Sequence, residues 1–403
     1  MNTFTQQEIL KHHQLFDLAT WSAELKMAHY CYLRTPEFFP HAWVHRAGPV
    51  STLDSQPVDS LNEVKAATLL GKLSLGEYLQ ARPVDGWLVL HHGKIVFERY
   101  LQMRPIDKHI WWSVTKTLAG TMVALLEDEG LVGVHKPIET YIKELADSDW
   151  RGTPVIDILD MASGMAGRDA DEPDSYTDPD SPIGLYEGSL GMTPRIAKTM
   201  ASTYEYIPTL KRLRPSGQVF EYSSVDTQIL SWMAERITGQ SFPELVSECI
   251  WRKMGAESDA MILVSPAGIA DSHGMMVSTL RDMGRYGLLF TPSWRLVTAQ
   301  KIISEACIKR FQTGGRPEIF DKAMIGKMTI EMIGERPRHN TYQWDVVFED
   351  GDFYKGGYGG QGLYISPARD LVVAAFSSGV GHESVEVLAY ARALARPGVL
   401  SNM

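Results

Sequence analysis

Cysteine is scarce in this chain: Cys31, Cys249 and Cys307 are the three among 403 residues, far apart and without a C-x-x-C pair. An odd count at such spacing excludes a disulfide framework or a structural zinc site, so reduced, buried thiols are expected. Long apolar runs are missing too, and none approaches the ~20 residues that a membrane-spanning helix needs. Dense runs of lysine and arginine are also absent, and the formal net charge is -10. Without clustered cations no surface can release phosphate counterions, which argues against a nucleic-acid partner. The start, "MNTFTQQEILKHHQLFDLATW", lacks the basic flank and apolar core of a secretory signal. These absences predict a cytoplasmic protein that acts on a small molecule or peptide, with no membrane partner, no metal and no cofactor.

What is present is apolar material enough, 44% of the residues, to bury a large core over two lobes or one domain with an insertion. Residues 1 to 80 read as a helical start and then a proline-punctuated surface arm, "RTPEFFPHAWVHRAGPVSTLDSQP". "DGWLVLHHGKIVFERY" gives two β-branched or aromatic runs around Gly93, a hairpin pattern with His91 and His92 at a solvated turn. From 116 to about 260, segments such as "TKTLAGTMVALLEDEGLV" and "SVDTQILSWMAERITGQ" carry apolar residues three and four apart, as helices do. An acidic, proline-rich connection, "GRDADEPDSYTDPDSPIGLYEGS", interrupts them. After another helical stretch, "DSHGMMVSTLRDMGRYGLLF", strands return in "QWDVVFE", "GQGLYISP" and "DLVVAAFSS" before a last helix. Strands early and late predict an α+β chain: a sheet domain from 81–112 and 270–403, divided in sequence by a mostly helical domain at 113–269.

Chemistry concentrates at three places. In "WWSVTKTLAG", Ser113 and Lys116 stand one turn apart at the start of an apolar helix, where the serine N–H points out of the helix end and favours negative charge. A serine hydroxyl needs a neighbouring base, and a desolvated lysine is one when its pKa falls; a capped helix start is the plain alternative. In "RPSGQVFEYSSVDTQILSW", Tyr222, Ser223 and Ser224 fall at a turn-to-helix junction, which a half-buried tyrosine beside a capping serine also explains. "KGGYGGQGLYISP" contains G-x-G-x-x-G through Gly357, Gly359 and Gly362, yet it runs into a strand and not a helix. It predicts a glycine-rich edge strand whose exposed N–H groups serve an oxyanion hole.

In that order, "SVTK" as S-x-x-K, "YSS" as a Y-x-N element and "YGGQ" as a K-T-G or H-x-G strand resemble the serine β-lactamase and penicillin-binding-protein superfamily, in its class C and esterase-like branch. The likeness covers roughly residues 85 to 395, and within the branch the chain is most similar to the 6-aminohexanoate-dimer hydrolases, the nylon-oligomer amidases. The resemblance implies a β-lactamase/transpeptidase-like fold, an antiparallel sheet flanked by helices in an α/β sandwich, with the catalytic cleft between sheet and helical domains. It implies Ser113 as nucleophile, the N–H groups of Ser113 and Gln361 as oxyanion hole, and Lys116 and Tyr222 as a coupled pair in which the ammonium lowers the phenol pKa and either is the base. Trp112, Tyr176, Glu187, Ser224, His273, Tyr358, Gly359 and Gly360 are then the expected substrate-binding residues, Tyr176 closing over the substrate and Glu187 meeting an amino group if it faces the pocket. Ser224 stands for the asparagine of Y-x-N and Tyr358 for the lysine of K-T-G, so efficient penicillin hydrolysis is not expected. The expected reaction is acyl transfer from a small ester or amide, as an amidase or carboxylesterase. A β-lactamase or D,D-peptidase and a non-catalytic penicillin-binding-like sensor are the alternatives, and a homodimer is left open.

Overall fold

A two-residue turn organises the main sheet. His92 and Gly93 both lie in the left-handed region, at φ 50° and 72°, the backbone that a two-residue type I′ hairpin requires. The computed structural model describes residues 4–169, 178–381 and 383–400, and this turn joins its strands Val84–His91 and Lys94–Tyr100. Seven antiparallel strands run in the order Lys94–Tyr100, Val84–His91, Leu371–Ser377, Gln361–Ser366, Phe353–Gly357, Trp344–Val347 and His339–Thr341. The early hairpin therefore pairs with the last strand, Leu90 opposite Val372 and Leu88 opposite Ala374.

Alternation divides the side chains of this sheet between two cores. Leu88, Leu90, Leu363, Ile365 and Val372 join Leu280, Met283 and Tyr286 of helix Leu280–Leu288, whereas Trp87, Val89, Tyr364 and Val373 join Leu388 and Tyr390 of helix Ser384–Leu394. Cover on both faces is why these strands read as unbroken apolar runs, and each fully buried Leu or Val contributes about 1.5–3 kcal/mol. Cys31 and Cys307 are buried, and all three cysteines are free thiols. Among the described residues no helix is long and apolar enough to cross a membrane.

A second sheet has the order His41–Val44, Ala260–Leu263, Met276–Ser278, His109–Ile110. It brings the chain just before Ser113 beside the chain just after His273. Trp111 donates from its backbone N–H to the Met276 carbonyl at 2.8 Å and from Nε1 to Ser278 Oγ at 2.8 Å. Two expectations change here. Met276–Ser278 is strand where helix was expected: Met276 and Val277 pair with neighbouring strands, and Thr279 caps the helix that begins at Leu280, accepting from the Asp282 N–H at 3.2 Å. The proline-punctuated stretch from Arg34 is not all surface arm either, because Phe39 is buried and His41–Val44 is a paired strand. The prolines punctuate it, but the aromatic residues between them supply burial.

Helix Lys116–Asp128 is seated by a close approach. A Cβ at Gly120 would stand 2.0 Å from the Tyr342 carbonyl oxygen, at the Tyr342–Gln343 turn where both residues have positive φ. Gly120→Ala gains about 1 kcal/mol of helix propensity but drives that methyl into backbone. The expected net effect is destabilisation of about 2 kcal/mol, read as a lower urea midpoint; an unchanged or higher midpoint would show that the helix is not held at this contact.

Candidate active site

Ser113 lies in the 3-10 turn Trp112–Thr115, which opens directly into helix Lys116–Asp128. Trp112 adopts φ 46°, left-handed for a bulky residue, a strain of about 1–3 kcal/mol that the surroundings must hold. Lys116 is 1% exposed and reaches back along the same helix face. Its Nζ stands 3.4 Å from Ser113 Oγ, 3.0 Å from Ser224 Oγ and 2.9 Å from the His273 carbonyl. Ser224 opens helix Ser224–Thr238, which Ser223 caps. Ser224 Oγ donates to Asp169 Oδ1 at 2.8 Å, so it meets Lys116 as an acceptor. Burial lowers the Lys116 pKa to about 8, against the upward pull of the Asp169 carboxylate. A neutral amine has two N–H donors, one each for Ser224 and the His273 carbonyl, and a lone pair left for Ser113.

Tyr222 joins this group through a different amine from the one expected. Its hydroxyl accepts from Lys355 Nζ at 2.9 Å, and Lys355 is paired with Asp345 Oδ1 at 2.5 Å. Asp345 Oδ2 accepts the Gly356 N–H at 2.9 Å, which fixes the carboxylate on the neighbouring strand. Lys116 Nζ lies over the Tyr222 ring, 5.1 Å from its centroid. The expectation that an ammonium lowers the phenol pKa is overturned: burial, with the Asp345 and Asp169 carboxylates, raises it well above the ordinary value, and only the hydrogen bond with Ser113 opposes. Tyr222 is thus a neutral phenol. Burial pushes the Lys355 amine down while Asp345 pushes it back up.

On the other side of Lys116, His273 bridges two carboxylates. Its Nε2 is 3.1 Å from Glu187 Oε1 and its Nδ1 is 2.9 Å from Asp271 Oδ1, with the Tyr186 hydroxyl 3.1 Å from Nδ1. Burial opposes charge on this imidazole, but Asp271 and Glu187 outweigh it and raise its pKa to about 10. Glu187 is raised by burial and held down by His273. The donor atoms of Glu187, Asp271 and His273 lie within 4.8 Å of one another. With both ring nitrogens protonated they form an ion-pair cluster, and they could hold a metal only if His273 lost its proton. Glu187 comes from helix Pro182–Leu190, capped by Ser181, inside the stretch expected to be a loop.

The glycine segment closes the group. Strand Phe353–Gly357 is internal, between Gln361–Ser366 and Trp344–Val347, and not the expected edge; its last residues alone run beyond the pairs Val346↔Tyr354 and Val347↔Phe353. A Cβ at Gly357 would stand 2.8 Å from the Trp111 carbonyl and 3.1 Å from Trp112 Cβ, so this strand end abuts the serine turn. Tyr358 packs edge-on against Trp112 at 5.5 Å and donates to the Val380 carbonyl. Gly359 and Gly360 turn the chain at φ 75° and 95°. Gln361 pairs opposite Gly357, with its side-chain amide bonded to both backbone groups of Ser377. Tyr176 lies outside the described residues.

Known proteins resemble this chain in sequence and fold. Residues 75–396 match the family described as Beta-lactamase. The chain is 30% identical over 353 residues to the 6-aminohexanoate-dimer hydrolase of Paenarthrobacter ureafaciens, covering 87% of this chain and 85% of that one. The chain belongs to the Beta-lactamase family. It is a serine hydrolase of that family with an α+β fold. A Bacillus anthracis structure assigned as a 6-aminohexanoate-dimer hydrolase shares the fold at a TM-score of 0.77, with 23% identity over 92% of this chain and 93% of that one. A β-lactamase/D-alanine carboxypeptidase from Yersinia pestis superposes at 0.56, with 16% identity over 79% of this chain and 95% of that one.

Beta-lactamase family membership makes one correction plain. The lysine that bonds the Tyr222 hydroxyl is Lys355, in the triplet Lys355–Gly356–Gly357, while Tyr358 bonds the Val380 carbonyl instead. The triplet K-G-G was the available signal, hidden by matching the later glycines. Asp345, Asp169 and Asp271 carried no local signal, because their partners lie on other elements. Breaking the buried Lys355–Asp345 pair with Lys355→Met is expected to cost about 3–5 kcal/mol, and adding Asp345→Leu should restore much of that stability in denaturant unfolding. Equal losses in the single and double variants would show that the two side chains are not coupled.

Proposed function

We propose that Ser113 attacks an ester or amide carbonyl with neutral Lys116 as its base, and that water then frees the acyl enzyme. The observation that carries this reading is the amine of Lys116, buried, held by Ser224 and the His273 carbonyl, and facing Ser113 Oγ at 3.4 Å. In the attack, Oγ bonds to the carbonyl carbon as its proton passes to Lys116, and the carbonyl oxygen takes the negative charge. Tyr222, a neutral donor, then protonates the leaving oxygen or nitrogen, and the proton held on Lys116 returns to the phenol, so both groups end the step as they began it while Lys355 compensates the charge in between. We assign the oxyanion donors to the Ser113 N–H and to the backbone at Gly357–Tyr358, the step that abuts the serine turn, in place of Gln361.

The pH dependence follows from Lys116. Below its pKa of about 8 the amine is charged and cannot accept the proton, so kcat/KM on a p-nitrophenyl ester should rise with pH through that value. Ser113→Ala should abolish the activity at every pH. A flat profile between roughly pH 6 and 10 would remove Lys116 as the base.

The substrate we infer is a small amide or ester with an ammonium on its acyl side, as the name of the Paenarthrobacter relative suggests. Two carboxylates, Glu187 and Asp271, flank one imidazolium, His273, leaving a negative surplus that a substrate ammonium would neutralise. Glu187→Gln should lower kcat/KM for 6-aminohexanoate dimer about tenfold or more, a loss of roughly 1.4 kcal/mol, and leave a neutral p-nitrophenyl ester nearly unaffected. Equal losses on both substrates would place Glu187 in support of the catalytic group and not in recognition. Lys355 does not reopen penicillin hydrolysis, because it is fully buried and already neutralised by Asp345, leaving no free cation for a β-lactam carboxylate.

A further inference from the structure

Residues 4–74 precede the matched family region, yet part of them touches both walls of the serine site. Trp112, the strained residue next to Ser113, is boxed by three rings. Trp21 stacks on its face at 5.3 Å and 15°, while Tyr32 and Tyr358 meet it edge-on, each at 5.5 Å. Tyr32 also supports the opposite wall. Its hydroxyl is 3.4 Å from the Gly379 carbonyl, and a Cβ at Gly359 would stand 3.2 Å from its ring. Gly379 in turn donates to the Gly359 carbonyl at 3.0 Å, and Gly359 donates to the Gly381 carbonyl at 2.8 Å. One buried phenol ring therefore rests at once on the Trp112 ring beside the nucleophile and on the glycine turn facing it.

The helix that carries Tyr32 is anchored independently of this box. His29 Nδ1 lies 3.1 Å from Asp85 Oδ1 and 3.1 Å from Ser378 Oγ, and Ser378 Oγ donates to Asp85 Oδ2 at 2.5 Å. Asp85, wholly buried on strand Val84–His91, also takes Nε2 of His109 at 3.1 Å, the first residue of the strand His109–Ile110 that leads to Trp111. Helix, sheet and serine turn are thus tied at one carboxylate.

We propose that Tyr32 and Trp21 are positioning residues for acyl transfer: they hold Trp112 in its left-handed conformation and set the gap between the Ser113 N–H and the Tyr358–Gly360 turn. Neither touches the reacting atoms. Their effect falls on the oxyanion geometry, where a displacement of about an ångström is enough to weaken transition-state binding strongly. The inference rests on the serine acyl-transfer reading above.

Wild type, Tyr32→Leu, Tyr32→Phe, Trp21→Ala and Trp21→Phe would be compared for fluorophosphonate labelling rate, for affinity toward a phenylboronic acid that becomes a tetrahedral anion on serine, and for kcat and KM on a p-nitrophenyl ester, each per folded molecule by circular dichroism. Tyr32→Leu and Trp21→Ala should lower labelling rate, boronate affinity and kcat together, by about tenfold or more, with KM within about twofold. The ring-preserving Tyr32→Phe and Trp21→Phe should stay near wild type. If Tyr32→Leu fails to fold, Trp21→Ala, at the far side of the box, decides alone. Folded variants that lose thermal stability but keep wild-type labelling and boronate affinity overturn the positioning role and leave the acyl-transfer reading standing. A wild type that takes no label takes both down.

Discussion

The arrangement depends on burying one amine. Lys116 has almost no contact with solvent, and loss of water is the largest influence on its proton. Placing an ammonium in such a site is costly unless it is paired, so burial shifts the group toward its neutral form, the form that the proposed mechanism needs. Two uncharged acceptors hold it, the Ser224 hydroxyl and the His273 carbonyl, and the Ser113 hydroxyl faces it at 3.4 Å. Had a carboxylate taken one of those places, the ammonium would persist and the serine would stay inert. Asp169 is kept one step away, behind Ser224.

That one step explains why three separate parts of the fold are constrained together. The short sheet joins His109–Ile110 to Met276–Ser278, so the serine turn and the His273 carbonyl arrive as a unit. Helix Ser224–Thr238 begins where Tyr222 ends, and its first hydroxyl is the one that Lys116 uses. The main sheet supplies Lys355 and Asp345 from adjacent strands, and the lysine of that pair bonds the phenol and not Lys116. Gly120 lets the Lys116 helix settle against the turn of that same sheet.

How much of this was legible in the chain follows from the range of each contact. Ser113 and Lys116 are one turn apart, so helical geometry alone brings them to one face. The hairpin at Gly93, the long helices and the late strands announce themselves by their periods. Lys355 was in view but misaligned, because five glycines within seven residues offer several registers and only strand pairing selects one. Asp169 was hidden in an acidic run that composition marks as solvated, although its oxygens cap the helix carrying Ser224. The stretch from Arg34 to Pro57 misled in the same way: its prolines suggest an arm, while His41–Val44 is a paired strand. Local rules see the backbone of such segments and not the surface they cover.

The charges around Lys116 also join recognition to reactivity. Burial and the nearby Lys355 push its pKa down, while Asp169, Asp271 and Glu187 push it up. The base is therefore held near neutrality by a balance, and two of the upward contributions come from the carboxylates that flank His273. An ammonium docked at Glu187 would cancel part of that upward field, leaving burial less opposed and the amine more fully neutral. A substrate without the ammonium leaves the field in place. If the substrate is the cationic one proposed above, its ammonium would do more than bind: by offsetting the surplus negative charge it would favour the neutral form of Lys116 that the proposed mechanism needs.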